Sequence, residues 1–357
     1  MEFSKRTFFF KASHPLHARP KLDPIWIAKN HERGIMTTLL LDTNVLIHIE
    51  KIVKSGNKVS AIKDHGLQNL ISLLYRVPPG SICLSPGIAF DEMPPALAEQ
   101  CRWNYEFFCA KHLPHFNDSP GSIQPTYVGK SHNYGFSDLE LRTQAVLTIP
   151  FCSLIYLQLV DRMSHLKPID KFKKYLAMVV DELDILSSKE VEIARYCFAN
   201  PPASCVKTIA LRKVIRKNFV QTKDEKLPRD SAQLIGVAFN GACDLNLMNC
   251  ANGGDNNAID GVKQDCWIAT RDEKLFKFGE IAPSLNIGAT AGIVASNSEL
   301  DEHALDPYWN ETMHLFRDML AQRADYFLRR KFELMSYPSI AERAIACAGK
   351  SFVNKVG

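Results

Sequence analysis

The sequence predicts an α/β protein organised on a mostly parallel sheet, and three observations carry that expectation. Short apolar runs at 37–42, 82–85 and 266–270 read as strands, and each runs into polar or acidic residues. Between the first two, residues 43–54 and 59–76 suit helices, the second with Ile62, Leu67, Leu70, Ile71 and Leu74 at helical spacing. Strand, helix, helix, strand, helix is the order of a parallel sheet covered by helices.

Taken in order, residues 1–35 are rich in Lys, Arg, His and Pro around a Phe8-Phe9-Phe10 run and hold no periodicity for long. They are expected to form an N-terminal extension to a domain that starts at Met36. Residues 36–100 make the first part of that domain, with a Pro-Pro-Gly turn at 78–80 and, after the second strand, a helical segment carrying Asp91 and Glu92. Residues 101–205 read as a mainly helical insertion. Its most apolar stretch, 145–160, is shorter than the ~20 residues that cross a bilayer and is expected to be a buried helix, with no membrane partner. Residues 206–290 return to the alternating pattern: a helix from Asp230 to about Cys243, a Gly/Asn/Asp loop over 249–262, then the strand 266–270. Residues 291–357 form a C-terminal helical region.

Composition limits the class. The 357 residues are 46% apolar and 23% charged, as in a soluble globular chain. Lys plus Arg exceed Asp plus Glu by 43 to 39, a mild excess that permits an anionic partner without requiring one. The ten cysteines include no Cys-x-x-Cys pair and often sit in apolar segments, which suits reduced thiols and a cytoplasmic location. Cys101, Cys109, His112 and His115 match no zinc-finger spacing.

The chemistry is expected where strands end in acids. Leu39-Leu-Leu-Asp42-Thr43-Asn44 and Trp267-Ile-Ala-Thr270-Arg271-Asp272 both deliver a carboxylate to the carboxyl end of a strand, the rim where open α/β sheets bind ligands. Glu92 follows the second strand, with Asp91 as its competitor, and Asp230 opens a helix expected to pack on the same sheet. An isolated Asp at such a place is more often a helix N-cap. Four carboxylates on one rim would instead repel one another unless a hard divalent cation, Mg2+ or Mn2+, lay between them.

These segments resemble the PIN-domain nucleases. The first resembles that family's opening strand with Asp-Thr/Ser-Asn/Ser. Cys83-Leu-Ser-Pro-Gly-Ile-Ala-Phe-Asp-Glu92, Pro-Arg-Asp230-Ser-Ala-Gln-Leu and Thr270-Arg-Asp272-Glu-Lys-Leu-Phe are similar to its second, third and fourth elements, in the family's order. The likeness covers 36–100 and 205–280 and departs in its large insertion and in the wide spacing of Asp230 from Asp272, which leaves Asp255 as an alternative third acid. It implies a PIN-like α/β/α sandwich and an endoribonuclease in which Asp42, Glu92, Asp230 and Asp272 hold Mg2+ or Mn2+. Thr43, Asn44 and Thr270 would orient those carboxylates. Water would attack phosphorus in line, leaving a 5′-phosphate and a 3′-hydroxyl.

The implied substrate is RNA, with single-stranded DNA second, and analogy within the family, toxin–antitoxin and defence roles included, adds self-association and an inhibitor or antitoxin protein as partners. Candidate phosphate contacts are Arg212, Lys213, Arg216 and Lys217, at i,i+4 spacing on one helix, together with Arg229 and Arg271. Two other classes compete: a catalytically inactive PIN-like module that binds nucleic acid or protein, and a phosphate-transferring α/β enzyme. The latter would want Asp-x-Asp at the first strand end, where residue 44 is Asn.

Overall fold

The computed structural model describes residues 6–14, 20–116, 118–129, 133–259, 261–282, 284–286, 294–296, 300–329 and 336–353. The expected boundary at 290/291 lies outside the described residues. The elements run β1 (Phe8–Phe10), α1 (Pro24–Glu32), β2 (Met36–Leu41), α2 (Thr43–Lys54), α3 (Val59–Asp64), α4 (Gln68–Leu74), β3 (Ile82–Ser85), α5 (Gly87–Asp91) and α6 (Pro95–His112). Then come α7 (Leu141–Asp161), α8 (Pro168–Leu183), α9 (Ser188–Phe198), α10 (Val206–Phe219), α11 (Ser231–Asn256), β4 (Ala258–Ile259), β5 (Val262–Thr270) and α12 (Glu273–Ile281). A short pair, β6 (Ser284–Asn286) and β7 (Val294–Ser296), precedes α13 (Pro307–Arg329) and α14 (Tyr337–Val353).

The protein is mixed α/β. Its five-stranded sheet has the order β1-β5-β2-β3, with β4 also on β5. The three expected strands are its parallel core: β2 pairs in parallel with both β3 and β5, Leu41 standing opposite Ala269. Side chains alternate faces along a strand, yet Leu39, Leu40 and Leu41 are all buried, as are Cys266, Trp267, Ile268 and Ala269. Both faces of the sheet are therefore covered, as parallel strands require. On one of them Leu39, Leu41, Trp267 and Ala269 join Val45, Leu46, Ile49, Phe90 and Phe108 in a continuous core.

Two expectations change here. Residues 6–14 and 20–35 are built into the fold rather than appended to it: β1 pairs antiparallel with β5, Phe8 opposite Thr270, and α1 packs beside β2. Lys11 seals that attachment, its ammonium 2.6 Å from Asp255 and 2.7 Å from Asp265, while Trp26 Nε1 and Asn30 Nδ2 also donate to Asp265. The polar run 249–256 is not a loop but the last two turns of α11. Glycine weakens a helix, but a Cβ at Gly254 would lie 2.5 Å from Cys266 Sγ, so its absence lets the helix approach β5.

The chain divides into two compact units. The first holds 1–140 and 247–283 with 289–291; the second holds 141–246, 284–288 and 292–357. The helical segment thus separates at 141 and 246 rather than at 101 and 205, and α6 belongs with the sheet, packed on α2. In the second unit α7 is 21 residues long and apolar enough to cross a membrane by length and composition, and 78% of its most apolar window is buried inside the protein. It is flanked by α8, α9 and α14 as a core helix.

Candidate active site at the strand ends

Because β2 and β5 are parallel neighbours ending in register, Asp42 and Thr270 emerge side by side, and Asp42 N donates to Ala269 O at 3.0 Å. Both acids are also helix caps. Asp42 Oδ1 accepts from Asn44 N at the start of α2, and Asp272 Oδ1 accepts from Lys274 N and Leu275 N at the start of α12. The cap holds each carboxylate at the rim, so capping and ligand presentation coexist in one side chain.

A small polar network ties the two strand ends together. Asp42 Oδ2 accepts from Thr270 Oγ1 at 2.5 Å and from Asn44 Nδ2 at 2.5 Å. Asn44 Oδ1 in turn accepts from Arg271 N, and Thr270 Oγ1 accepts from Asp272 N. Thr43 Oγ1 donates to Glu92 Oε2 at 3.3 Å, so the buried Glu92 stands one residue along from Asp42. Asp91, its competitor, is exposed. The buried Asp42 carboxyl is pushed up to about 6, first by burial and then by the negative charge of Asp272, against the opposing hydrogen bonds. Asp272 keeps one oxygen, Oδ2, that no donor reaches among the described residues.

The remaining acids go elsewhere. Asp230 is exposed, belongs to the second unit and caps α11 by accepting from Gln233 N at 2.8 Å. Asp255 lies beside the middle of β5, bound to Lys11 and to Cys266 N, so it does not replace Asp230 at the rim. The C-terminal part of α11 does reach the acids, since Cys250 feels the charges of Glu92 and Asp91, which raise its thiol to about 11 after burial. Sequence reading placed a loop there and missed this neighbour.

The expected cationic face of α10 is largely used internally. Arg216 makes a two-pronged bond to Asp161 at 2.8 and 2.9 Å, Arg212 donates to Cys197 O, and Lys217 pairs with Glu225. An i,i+4 pattern specifies a shared helix face but not whether that face meets solvent. Lys213 and Arg229 are exposed in the second unit. Arg271 differs from these, being half-buried between Thr270 and Asp272 with Nε unpartnered and its pKa lowered by burial alone.

Oxygen-only donors, with Asp272 Oδ2 open among the described residues, suit the chemistry of a hard divalent cation. Among the described residues, however, no group of three or more His, Cys, Asp or Glu side chains is arranged to hold a metal ion. Compared with family models, with curated proteins and with solved structures, the chain has no match in any of the three.

Proposed function

We propose that the protein is a metal-dependent nuclease of the PIN type, hydrolysing RNA phosphodiesters at the rim formed by β2 and β5. The observation that carries this reading is the pair Asp42 and Asp272: two carboxylates on adjacent parallel strand ends, close enough for one to raise the pKa of the other. A cap role alone needs neither burial of Asp42 nor the Thr270 and Asn44 bonds to it.

Asp42 and Asp272 would hold Mg2+ or Mn2+, with Glu92 joining through its own carboxylate or a bridging water. The ion would supply charge neutralisation on a phosphoryl oxygen and a more acidic water. Thr270 and Asn44 fix the Asp42 carboxylate in one orientation, which lowers the cost of reorganising it during reaction. Arg271, whose Nε has no partner among the described residues, supplies a charge complementary to a phosphate. RNA is the proposed substrate because the motif resemblance points there, with single-stranded DNA second.

A second reading is favoured by one observation, that among the described residues no three potential ligands are grouped to hold a metal: a PIN-like module that binds nucleic acid without cutting it. Labelled single-stranded RNA and DNA incubated with wild type and Asp42→Asn, each in EDTA, Mg2+ or Mn2+, separate the two. Metal-dependent cleavage that Asp42→Asn abolishes is the expected result. Binding of RNA by both proteins with no cleavage in either metal would favour the module.

A further inference from the structure

A pair of histidines outside the acid group has the geometry of a metal site. His48, on α2, and His65, which ends α3, face one another with Nδ1 to Nδ1 at 3.4 Å and rings tilted by 53°. Direct N–H···N bonding favours separations near 3 Å. Two imidazole nitrogens each about 2.0–2.1 Å from a tetrahedral zinc stand roughly 3.4 Å apart, the edge of that tetrahedron. Both residues are half-buried, which leaves access for an ion and its water.

The rings come from separate elements whose positions are set by other contacts. His48 lies on a helix anchored by Val45, Ile49 and Ile52, and the turn after His65 is tied to the N-terminal strand by Thr7 Oγ1 donating to Gly66 O at 3.1 Å. Packing therefore holds the nitrogens in place before an ion arrives, which lowers the ordering cost of binding.

We propose that His48 and His65 form a two-imidazole site for a borderline transition-metal ion, Zn2+ or its Ni2+ and Cu2+ neighbours, with water completing the coordination. Imidazole nitrogen selects this class over Mg2+ and Mn2+, so the site differs in chemistry from the carboxylate rim. No group of three or more His, Cys, Asp or Glu that could hold a metal includes them among the described residues. His48 is one helical turn from Asn44 and shares its face, so a bound ion sets positive charge beside the acid group. The proposal is independent of whether the rim cuts nucleic acid.

The test is a Zn2+ titration of the full-length protein at pH 7.5, read by calorimetry and by the side-chain nitrogen signals of its histidines. One site is expected that weakens at least tenfold in His48→Ala and in His65→Ala, persists in Asp42→Asn, and fades below pH 6 as the imidazoles protonate. In the wild type, the His48 and His65 signals should move together on adding Zn2+, a readout that needs no variant to fold. Unchanged signals at these two residues, or alanine variants binding Zn2+ like wild type, would overturn the assignment. Loss of binding only in Asp42→Asn would move the metal to the carboxylates instead.

Discussion

Replacing Lys11 by Met should destabilise the sheet unit by about 3–5 kcal/mol, the usual cost of removing one partner from a buried charge cluster. The ammonium sits between Asp255 and Asp265, with the three side chains 15%, 9% and 8% exposed. Burial pushes the Lys11 pKa down, but the two carboxylates outweigh it and hold it above its ordinary value. A thioether of similar length keeps the packing and removes the charge, leaving two buried carboxylates facing each other. Asp255 is already pushed up by burial, so in the variant it should take up a proton and shed part of the penalty as pH falls. Urea unfolding followed by tryptophan fluorescence suits the measurement, because Trp26 and Trp267 both donate to Asp265. The loss should be larger at pH 7 than at pH 5, and a chain begun at Met36 should lose as much or more. A Lys11→Met protein within 1 kcal/mol of wild type at pH 7 would refute the reasoning, and with it the claim that Lys11 fastens the N-terminal strand to the fold.

Asp42→Asn removes an ionisation penalty but also one of two acceptor oxygens, so its stability relative to wild type should change with pH. With the folded pKa at about 6 against 3.8 unfolded, the folded state binds protons more readily, so the ionisation penalty is present in full above pH 6 and released as pH falls toward 4. That difference of about 2 units corresponds to about 3 kcal/mol, so the stability difference between variant and wild type should shift in favour of wild type by about that much from pH 7.5 to pH 4; a difference constant across that range counts against it. Gly254→Ala should cost roughly 1–3 kcal/mol because the new methyl would meet Cys266 Sγ at 2.5 Å. Adding Cys266→Ala should recover part of that loss in a double-mutant cycle, and simple additivity would show that the close approach is not the cause.

Some of this was legible in the chain without coordinates. An apolar run ending in Asp-Thr-Asn or Thr-Arg-Asp marks a buried strand that delivers polar groups to a rim, since strand burial and helix capping are both local demands. That logic located β2, β3 and β5 as parallel neighbours.

What tertiary structure decided were matters that depend on partners distant in sequence. Three consecutive phenylalanines have no strand alternation to read, and Phe8–Phe10 becomes a strand because β5 presents an edge to it. Residues 253–255 have poor helix propensity, yet α11 runs through them because the missing side chain at Gly254 permits contact with Cys266. Arg216 and Lys213 are three residues apart on one basic helix, and only the position of Asp161 turns one inward while the other stays exposed. Asp230 caps a helix in the second unit and Asp255 neutralises Lys11, two uses of the same carboxylate that local sequence does not distinguish. A strand end is set by the chemistry of a few adjacent residues, whereas the partner of a charge is set by which surfaces the folded chain brings together.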